Sequence, residues 1–368
     1  MKIPIPDTMI AVVLTGHGGF QKLKYRSNVT VPVPGPIEVL IQVGAAGINN
    51  TDINTRIAWY SKNFTDDTSS GSELGFTDAY DDDASWSGEP MVFPRIQGTD
   101  CCGRIVAVGS QVDPDRMGER VLVRPIQTTE MGSRAFACRT FGSECDGGFA
   151  QFAKAYSVDA LKIESDLSDI ELASFPCAYT TAEGMLERAS VRPETVLITG
   201  ASGGVGSAAV QLAKRRKAKV IAITAREKAN EVRTLGADRV IERNSNLSEV
   251  MVKDSVDVVI DLVAGPQWPQ LLNVLKRGGR YVTAGAIAGP IVELDIRKLY
   301  LKDLSFFGCT YQGKGILENL ISYIEGGEIQ PLVSGSYPLK DIVQAQKDFI
   351  AKKHIGKLVL VPPQYDSF

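Results

Sequence analysis

The stretch from about residue 190 to 310 alternates short apolar runs with amphipathic ones, and this alternation restricts the fold more than any other feature. The apolar runs are rich in β-branched residues and are bounded by Gly, Asp or charged residues, as buried parallel strands are. They lie at Thr195–Thr199, Lys219–Thr224, Arg239–Ile241, Val256–Leu262, Arg280–Ala284 and Leu304–Gly308. Amphipathic helical periods separate them. The repetition predicts an α/β fold with a doubly wound parallel sheet.

The flanking parts of the chain have a different sequence pattern. Residues 1–158 contain Pro- and Gly-rich breaks between short strands, which is typical of an irregular, mainly β domain. The last stretch offers two helices and one strand, too few elements for a core of its own, so we expect it to dock on the first domain. We therefore predict a mainly β domain at 1–158, completed by 311–368, and a doubly wound domain at 159–310.

Composition excludes several classes of protein. The 368 residues include 40 Lys and Arg against 43 Asp and Glu, so the charge does not favour a nucleic-acid partner. No apolar stretch approaches the roughly 18–20 residues of a membrane span. The 2 His and 6 Cys include no C-x-x-C pair, which leaves little material for zinc and indicates reduced thiols in a cytoplasmic protein. Residues 61–89 are acidic, and we expect a solvated surface loop there, with an active-site lid as the alternative.

A glycine-rich turn carries the strongest chemical signal. It reads Gly200-Ala201-Ser202-Gly203-Gly204-Val205-Gly206, between a predicted strand and a predicted helix. Glycines let the backbone turn tightly and approach a pyrophosphate, which the free N–H groups and the dipole at the helix N-terminus favour. The sequence therefore predicts that a dinucleotide binds to Gly200, Ser202, Gly203, Gly204, Val205 and Gly206.

The tip of the next strand decides which nicotinamide cofactor fits. An acidic residue there would hold the ribose 2′-hydroxyl of NAD, but this strand ends with Thr224, followed by Arg226 and Lys228. Small polar and cationic side chains accommodate a 2′-phosphate, so NADPH is the predicted cofactor. Glu227 would reverse the preference if the strand ended one or two residues later. Arg226 and Lys228 could instead form only a solvated helix start.

Several motifs along nearly the whole chain resemble those of the medium-chain dehydrogenase/reductase superfamily, and within it the zinc-independent quinone oxidoreductase-like branch. They are Thr15-Gly16-His17-Gly18-Gly19, residues 45–52 (AAGINNTD), Gly98-Thr99-Asp100, Asp146-Gly147-Gly148-Phe149-Ala150, the glycine-rich turn and Gly278-Gly279-Arg280. The resemblance implies a GroES-like catalytic domain, mainly β, together with a Rossmann domain that holds the cofactor.

The same resemblance bears on metal binding. Zinc-dependent relatives would carry Cys at position 49 and His at position 99, where this chain has Asn49 and Thr99. Cys177 stands where their third ligand falls, but a catalytic zinc site takes about three protein ligands. Cys138 and Cys145 are the only cysteines in the region of the four-cysteine structural site of those relatives. The resemblance therefore implies an enzyme without a metal.

Without a metal, hydrogen-bond donors must polarise the substrate. By resemblance, Asn49 supplies an amide N–H, and Asp52, Arg56 and Tyr60 follow at matching spacings, with Tyr60 as the leading proton donor. Each has a structural alternative: Asn49 and Asp52 could fix a turn, Arg56 could pair with Asp52, and Tyr60 could merely line the site. Asn54 departs from the pattern, because some relatives carry tyrosine there.

The resemblance also implies that backbone groups after two strands line the nicotinamide ring. The implied cofactor residues are Thr181, Val263, Ala284, Gly285 and Ala286. Together these observations predict an NADPH-dependent oxidoreductase that transfers hydride to a quinone, an enone or a similar activated double bond of a small-molecule substrate. A zinc-independent alcohol or aldehyde dehydrogenase using Thr51, and a non-catalytic NADPH-binding protein, are the alternatives. The resemblance further implies a homodimer.

Overall fold

The computed structural model describes residues 5–76, 84–87, 90–127, 136 and 139–365. Within this range the chain divides into two compact units. One contains the chain up to Phe64, Gly71–Cys177 and the chain from Leu317 onward, and the other contains Thr65–Ser70 and Ala178–Ile316. The acidic residues 78, 81–83 and 89 of the predicted surface loop, and Cys138, lie outside the described residues.

The first unit is built on antiparallel strands. Up to Cys177 they are β1 Thr8–Leu14, β2 Leu23–Thr30, β3 Glu38–Gly47, β4 Arg95–Ile96, β5 Cys102–Val108, β6 Arg120–Val123, β7 Phe152–Tyr156 and β8 Ala160–Lys162. The helices in this part are α1 Asn50–Ile57 and α2 Asp169–Leu172. β1 pairs with β2 and β4 in a three-stranded sheet, while β3 pairs with β5 and β7. β8 pairs with β6, so this unit extends beyond the predicted boundary at residue 158.

The second unit contains the strand and helix repeat. Its elements are α3 Pro176–Arg188, β9 Thr195–Ile198, α4 Gly204–Arg215, β10 Lys219–Thr224, α5 Ala229–Thr234, β11 Arg239–Glu242, α6 Leu247–Val250, β12 Val256–Asp261, α7 Trp268–Val274, β13 Leu275–Thr283, α8 Ile296–Leu301 and β14 Ser305–Gly308. The strands form one parallel sheet in the order β11-β10-β9-β12-β13-β14. This confirms the predicted doubly wound sheet.

The end of the chain returns to the first unit. Its elements are α9 Ile316–Glu325, β15 Val333–Pro338, α10 Ile342–Ile350 and β16 Lys357–Val361. β16 pairs with β15 on one side and with β3 on the other, which completes a sheet in the order β15-β16-β3-β5-β6-β8. Each unit has its own apolar core, as expected of a separate domain.

Candidate active site

Asn49 lies between β3 and α1, where the chain turns from strand to helix. Its amide Nδ2 donates to Asp100 Oδ2 at 2.9 Å, and its Oδ1 accepts from Lys357 Nζ at 2.5 Å. The second amide hydrogen has Gly47 O as an acceptor at 3.4 Å. The amide is therefore bound by three groups of the protein, two of them the charged side chains of Asp100 and Lys357.

Asp100 is the centre of this buried cluster. Its carboxylate is fully buried and accepts from Lys357 Nζ at 2.7 Å and from the backbone N–H of Cys177 at 2.6 Å. Gly47 is required here, because a Cβ at this position would lie 2.4 Å from Asp100 Oδ2. The charged pair thus fixes the first turn of α1 to Cys177 and to β16, which all lie in the first unit.

Asp52 lies three residues into this turn and is almost completely buried. Its carboxylate accepts from the backbone N–H groups of Asn49, at 2.7 Å, and Gly98, at 3.3 Å. Burial raises the pKa of Asp52 to about 7, against the lowering effect of those N–H groups and of Lys357. A carboxyl group with this pKa can both hold and release a proton near neutral pH.

The raised pKa predicts how stability depends on pH. Between the unfolded pKa near 3.8 and the folded pKa near 7, the folded state holds a proton on Asp52 that the unfolded state has lost. The stabilising contribution of this carboxyl is therefore complete below the unfolded value and is lost as the pH rises to the folded one. Asp52→Asn cannot titrate, so the free energy of unfolding of the wild type should fall by about 3 kcal/mol relative to this variant between pH 5 and pH 8. Urea unfolding at several pH values measures this, and parallel curves would contradict the assignment.

Tyr60 follows α1, which ends where Ala58 adopts a left-handed conformation, φ 63°. Its hydroxyl lies within hydrogen-bonding reach of the side chains of Thr51 and Asn54. Burial raises the pKa of Tyr60 to about 12, with smaller contributions from Cys177 and Asp52, so the phenol keeps its proton at neutral pH. Asn54 Oδ1 is buried and has no hydrogen-bond partner among the described residues.

Arg56, another predicted site residue, contacts several other segments of this unit. It is fully buried and donates to Gly18 O at 2.9 Å, Ser72 O at 2.7 Å and Gln346 Oε1 at 2.9 Å. Its guanidinium lies 4.4 Å from the centre of the Phe20 ring, and burial lowers the pKa of Arg56 to about 10. It does not pair with Asp52. Because its guanidinium donates to three separate segments of the chain, Arg56 stabilises this unit.

The three positions equivalent to zinc ligands in relatives lie in or beside this cluster. Asn49, Thr99 and Cys177 are all buried, and the Asn49 carbonyl oxygen faces the Lys357 ammonium group. An amide oxygen bound by an ammonium group, with a hydroxyl and one thiol, is a poor ligand set for zinc, which prefers thiolate and imidazole. Over the ranges that the structure describes, no group of three or more His, Cys, Asp or Glu is placed to hold a metal ion.

In the second unit, the glycine-rich turn is tight and leads directly into α4. Gly200 has φ +60°, and a Cβ on Gly206 would lie 2.2 Å from Gly200 O. α4 begins at Gly204, with Gly203 as its N-cap, and the first amides of a helix have no partner within it. Ser202 and Val205 belong to the same turn. These residues fit the phosphates of a dinucleotide.

Cations gather at the carboxyl end of β10. Thr224 Oγ1 is buried and has no hydrogen-bond partner in the described part of the chain. Arg226 and Lys228 lie in the 3₁₀ turn that follows, and the pKa of Lys228 is lowered by burial and by the charge of Arg243. Sequence reasoning missed Arg243, whose backbone N–H donates to Thr224 O at 2.8 Å. It follows β11, whose end lies beside that of β10, and this adjacency was the available signal.

The loop after β12 meets the glycine-rich turn, and the loop after β13 meets the loop after β12. Val263 follows β12, and a Cβ on Gly200 would lie 3.3 Å from its Cγ2. Ala284, Gly285 and Ala286 follow β13, and a Cβ on Gly285 would lie 3.1 Å from Leu262 O. Thr181 lies half-buried on α3. The structure therefore brings the loops after β9, β12 and β13 together at one edge of the parallel sheet.

Comparison with known proteins agrees with this arrangement. Residues 35–165 match the family model described as the alcohol dehydrogenase GroES-like domain, and residues 204–326 match the one described as zinc-binding dehydrogenase. An acryloyl-coenzyme A reductase of Metallosphaera sedula is 30% identical, over 96% of this chain and 99% of the relative. A quinone oxidoreductase of Lama guanicoe is also 30% identical, over 96% of this chain and 97% of the relative.

A solved structure is similar over the same extent. It is a protein of Sinorhizobium meliloti 1021, provisionally named an alcohol dehydrogenase, with 44% identity, a TM-score of 0.86 and 98% of each chain covered. The parallel sheet with its glycine-rich turn, the GroES-like unit and these full-length relatives lead to one assignment. The chain belongs to the medium-chain dehydrogenase/reductase superfamily and is an oxidoreductase enzyme.

Proposed function

We propose that this enzyme is a zinc-independent, NADPH-dependent reductase that transfers hydride to a quinone, an enone or a similar activated double bond of a small molecule. The observation that carries the proposal is the Tyr60 phenol, whose hydroxyl lies within hydrogen-bonding reach of the Thr51 and Asn54 side chains and whose pKa is raised by burial and by the nearby charges of Cys177 and Asp52. The relatives named quinone oxidoreductase and acryloyl-coenzyme A reductase support this substrate class.

The chemistry of such a reduction requires a proton as well as a hydride. NADPH supplies the hydride when bound, and its arrival at one carbon of an enone leaves negative charge on the carbonyl oxygen. Tyr60 would donate a hydrogen bond to that oxygen and then its proton, while Thr51 and Asn54 orient the phenol. Asp52, which can hold a proton near pH 7, would restore the phenol.

Polarisation by hydrogen bonds takes the place of a metal in this proposal. The side chain of Asn49 is held between Asp100 and Lys357, which supports a positioning role for it. The candidate residues for the reaction are therefore Asp52 and Tyr60, positioned by Asn49 and supported by Arg56.

We propose a preference for NADPH over NADH because of the cations that follow β10 and β11. Thr224, Arg226, Lys228 and Arg243 would surround a 2′-phosphate, and Glu227 is exposed beside them. Lys228→Ala combined with Arg243→Ala should raise the KM for NADPH about 10²-fold or more, because each charge-assisted hydrogen bond contributes about 1.5–3 kcal/mol and two are removed. The KM for NADH should stay within about twofold, since a 2′-hydroxyl gains little from either cation.

Steady-state kinetics with both cofactors measure this effect. Arg233→Ala, which removes an exposed cation from α5, is the matched control. An equal change in KM for the two cofactors would contradict the assignment of the 2′-phosphate site.

An alcohol dehydrogenase activity is the second candidate, because the Thr51 hydroxyl lies at Tyr60 and the similar structure from Sinorhizobium meliloti is provisionally named for that activity. Assays in both directions separate the two. Our proposal expects NADPH oxidation with enones and quinones and at most slow turnover of simple alcohols with NADP⁺. Faster turnover of alcohols would favour the second candidate.

We also propose that the enzyme is a homodimer joined through the edge of the parallel sheet. β14 ends the strand order, and the chain before it exposes the apolar side chains of Ile291, Ile296, Tyr300 and Leu301. Tyr300→Glu with Leu301→Glu should convert the dimer to a monomer in light scattering after gel filtration. Val33→Glu, an exposed apolar position of the first unit, should leave the mass unchanged. A wild-type monomer would overturn the proposal.

None of the helices that the structure describes has the length and apolar character of a membrane span. Cys101, Cys102, Cys145, Cys177 and Cys309 are free thiols. We propose a cytoplasmic location because reduced thiols persist there.

A further inference from the structure

The loop Leu262–Gly265 lies where the strand order of the parallel sheet reverses. From β9 the chain proceeds outward through β10 and β11, and from β12 it proceeds outward on the other side through β13 and β14. Ligands of open α/β sheets bind outside the carboxyl ends of the strands at such a reversal. The loop also packs against the glycine-rich turn, through Val263 and Gly200.

The backbone of this loop is strained. Ala264 has φ 54° and ψ −135°, a conformation that residues with a Cβ rarely adopt. Gly265 follows with φ +64°, and a Cβ there would lie 2.5 Å from Ala288 O. Strained residues persist only where the surrounding structure holds them, and they concentrate at functional sites.

Asp261, the last residue of β12, is the group that holds this loop. Its fully buried Oδ1 accepts from the N–H of Val263 at 3.0 Å and of Ala264 at 3.2 Å. Its Oδ2 also accepts from the N–H of Ala264 at 3.2 Å. The strained residue is therefore bound by both oxygens of one carboxylate.

Two hydroxyl groups fix the carboxylate in turn. Thr199 Oγ1 donates to Oδ1 at 2.6 Å and accepts from the N–H of Leu262 at 2.9 Å. Tyr281, on β13, donates to Oδ2 at 2.6 Å. Burial and the charge of Asp261 raise the pKa of Tyr281, so its hydroxyl remains a donor. Five hydrogen bonds from neutral donors thus hold a carboxylate that has no ion-pair partner among the described residues.

We infer that Asp261 is a positioning residue, which holds Leu262–Gly265 in the strained conformation that receives the nicotinamide half of the cofactor. The inference rests on the proposed function in assuming that a nicotinamide cofactor binds at this edge of the sheet. The cations proposed for the adenosine half follow β10 and β11, on the other side of the reversal. Loss of the carboxylate should therefore weaken binding of the nicotinamide half of the cofactor and leave binding of the adenosine half unchanged.

The test compares two ligands on three variants of the full chain. Asp261→Asn retains one acceptor oxygen, Tyr281→Phe removes a single hydrogen bond to Oδ2, and Asp257→Asn is the control. Asp257 lies near the start of the same strand, where it accepts from Thr195 N at 3.0 Å and Lys276 Nζ at 2.8 Å. NADPH probes both halves of the site, and 2′,5′-ADP probes the adenosine half alone.

For Asp261→Asn we expect the Kd for NADPH to rise about tenfold or more, because hydrogen bonds to a charged group are lost. The fluorescence enhancement of bound NADPH should also fall, while the Kd for 2′,5′-ADP stays within about twofold. Tyr281→Phe should show a smaller change in the same direction, and Asp257→Asn should show none.

Unchanged binding and fluorescence of NADPH in Asp261→Asn would overturn the inference alone. An equal loss of both ligands would also overturn it, because Asp261 would then support the whole sheet edge. Tyr281→Phe decides the question if Asp261→Asn does not fold, and unchanged NADPH binding in that variant counts against the inference. Wild-type protein that bound neither NADPH nor NADH would overturn the proposed function and the inference with it.

Discussion

Replacing Tyr60 by phenylalanine should lower kcat for enone reduction about 10²- to 10⁴-fold, the usual contribution of a positioned proton donor. The ring and its packing remain, and only the hydroxyl beside Thr51 and Asn54 is lost. The Kd for NADPH should stay within about twofold, because the phenol acts on the reacting oxygen and not on the cofactor. Stopped-flow measurement of NADPH oxidation, with NADPH titration by fluorescence, separates the two effects.

Tyr25→Phe is the control, since Tyr25 is exposed on β2. The pH profile provides a second check: kcat of the wild type should fall as the pH rises through about 7, where Asp52 loses its proton. Asp52→Asn should lower kcat and abolish this inflection. A Tyr60→Phe enzyme with wild-type kcat would exclude Tyr60 as the donor.

Replacing Lys357 by methionine should destabilise the protein by about 3–5 kcal/mol, because breaking a buried ion pair leaves an uncompensated charge. Asp100 is fully buried, and its other hydrogen-bond donors, the Asn49 amide and the Cys177 N–H, carry no charge. Combining Lys357→Met with Asp100→Asn removes both charges and should restore most of the loss. Urea unfolding followed by circular dichroism gives these free energies.

Arg277→Met is the matched control for this experiment. Arg277 forms an exposed pair with Asp303 at 2.9 Å, and a surface pair of this kind contributes about 0–1 kcal/mol. A double variant as unstable as Lys357→Met would show that the ammonium group acts mainly through Asn49, and that the buried pair is not the principal interaction.

The parallel sheet could be predicted from the sequence because its signals are local. Each strand is a short β-branched run bounded by Gly, Asp or charged residues, and the predicted Lys219–Thr224 coincides with β10. The glycine-rich turn is equally local, since its glycines are needed for contacts within the turn itself. The first unit continues past residue 158 because β8 pairs with β6, a contact that hydrophobic periodicity does not encode.

The site could be predicted only as a set of residues, because what each side chain contacts depends on partners that are distant in sequence. Lys357, which binds the Asn49 carbonyl oxygen, is 308 residues away. Gln346, which accepts from Arg56, is 290 residues away. Spacing within α1 could suggest that Arg56 pairs with Asp52, but the tertiary structure provides Arg56 with other acceptors. The hydroxyl of Tyr60 could be predicted as a candidate from the sequence, because its partners Thr51 and Asn54 are nearby in sequence.

The central claim is that hydride passes from NADPH to an activated double bond with hydrogen-bond donors in the place of a metal. The most direct measurement is the fate of deuterium from NADPH labelled at the transferable C4 position, followed by mass spectrometry of the enone product after the enzyme is treated with EDTA. The proposal predicts one deuterium in the product for each NADPH oxidised, at a rate unchanged by chelation. Activity that disappears on chelation and returns with zinc, or a reduced product without deuterium, would contradict it.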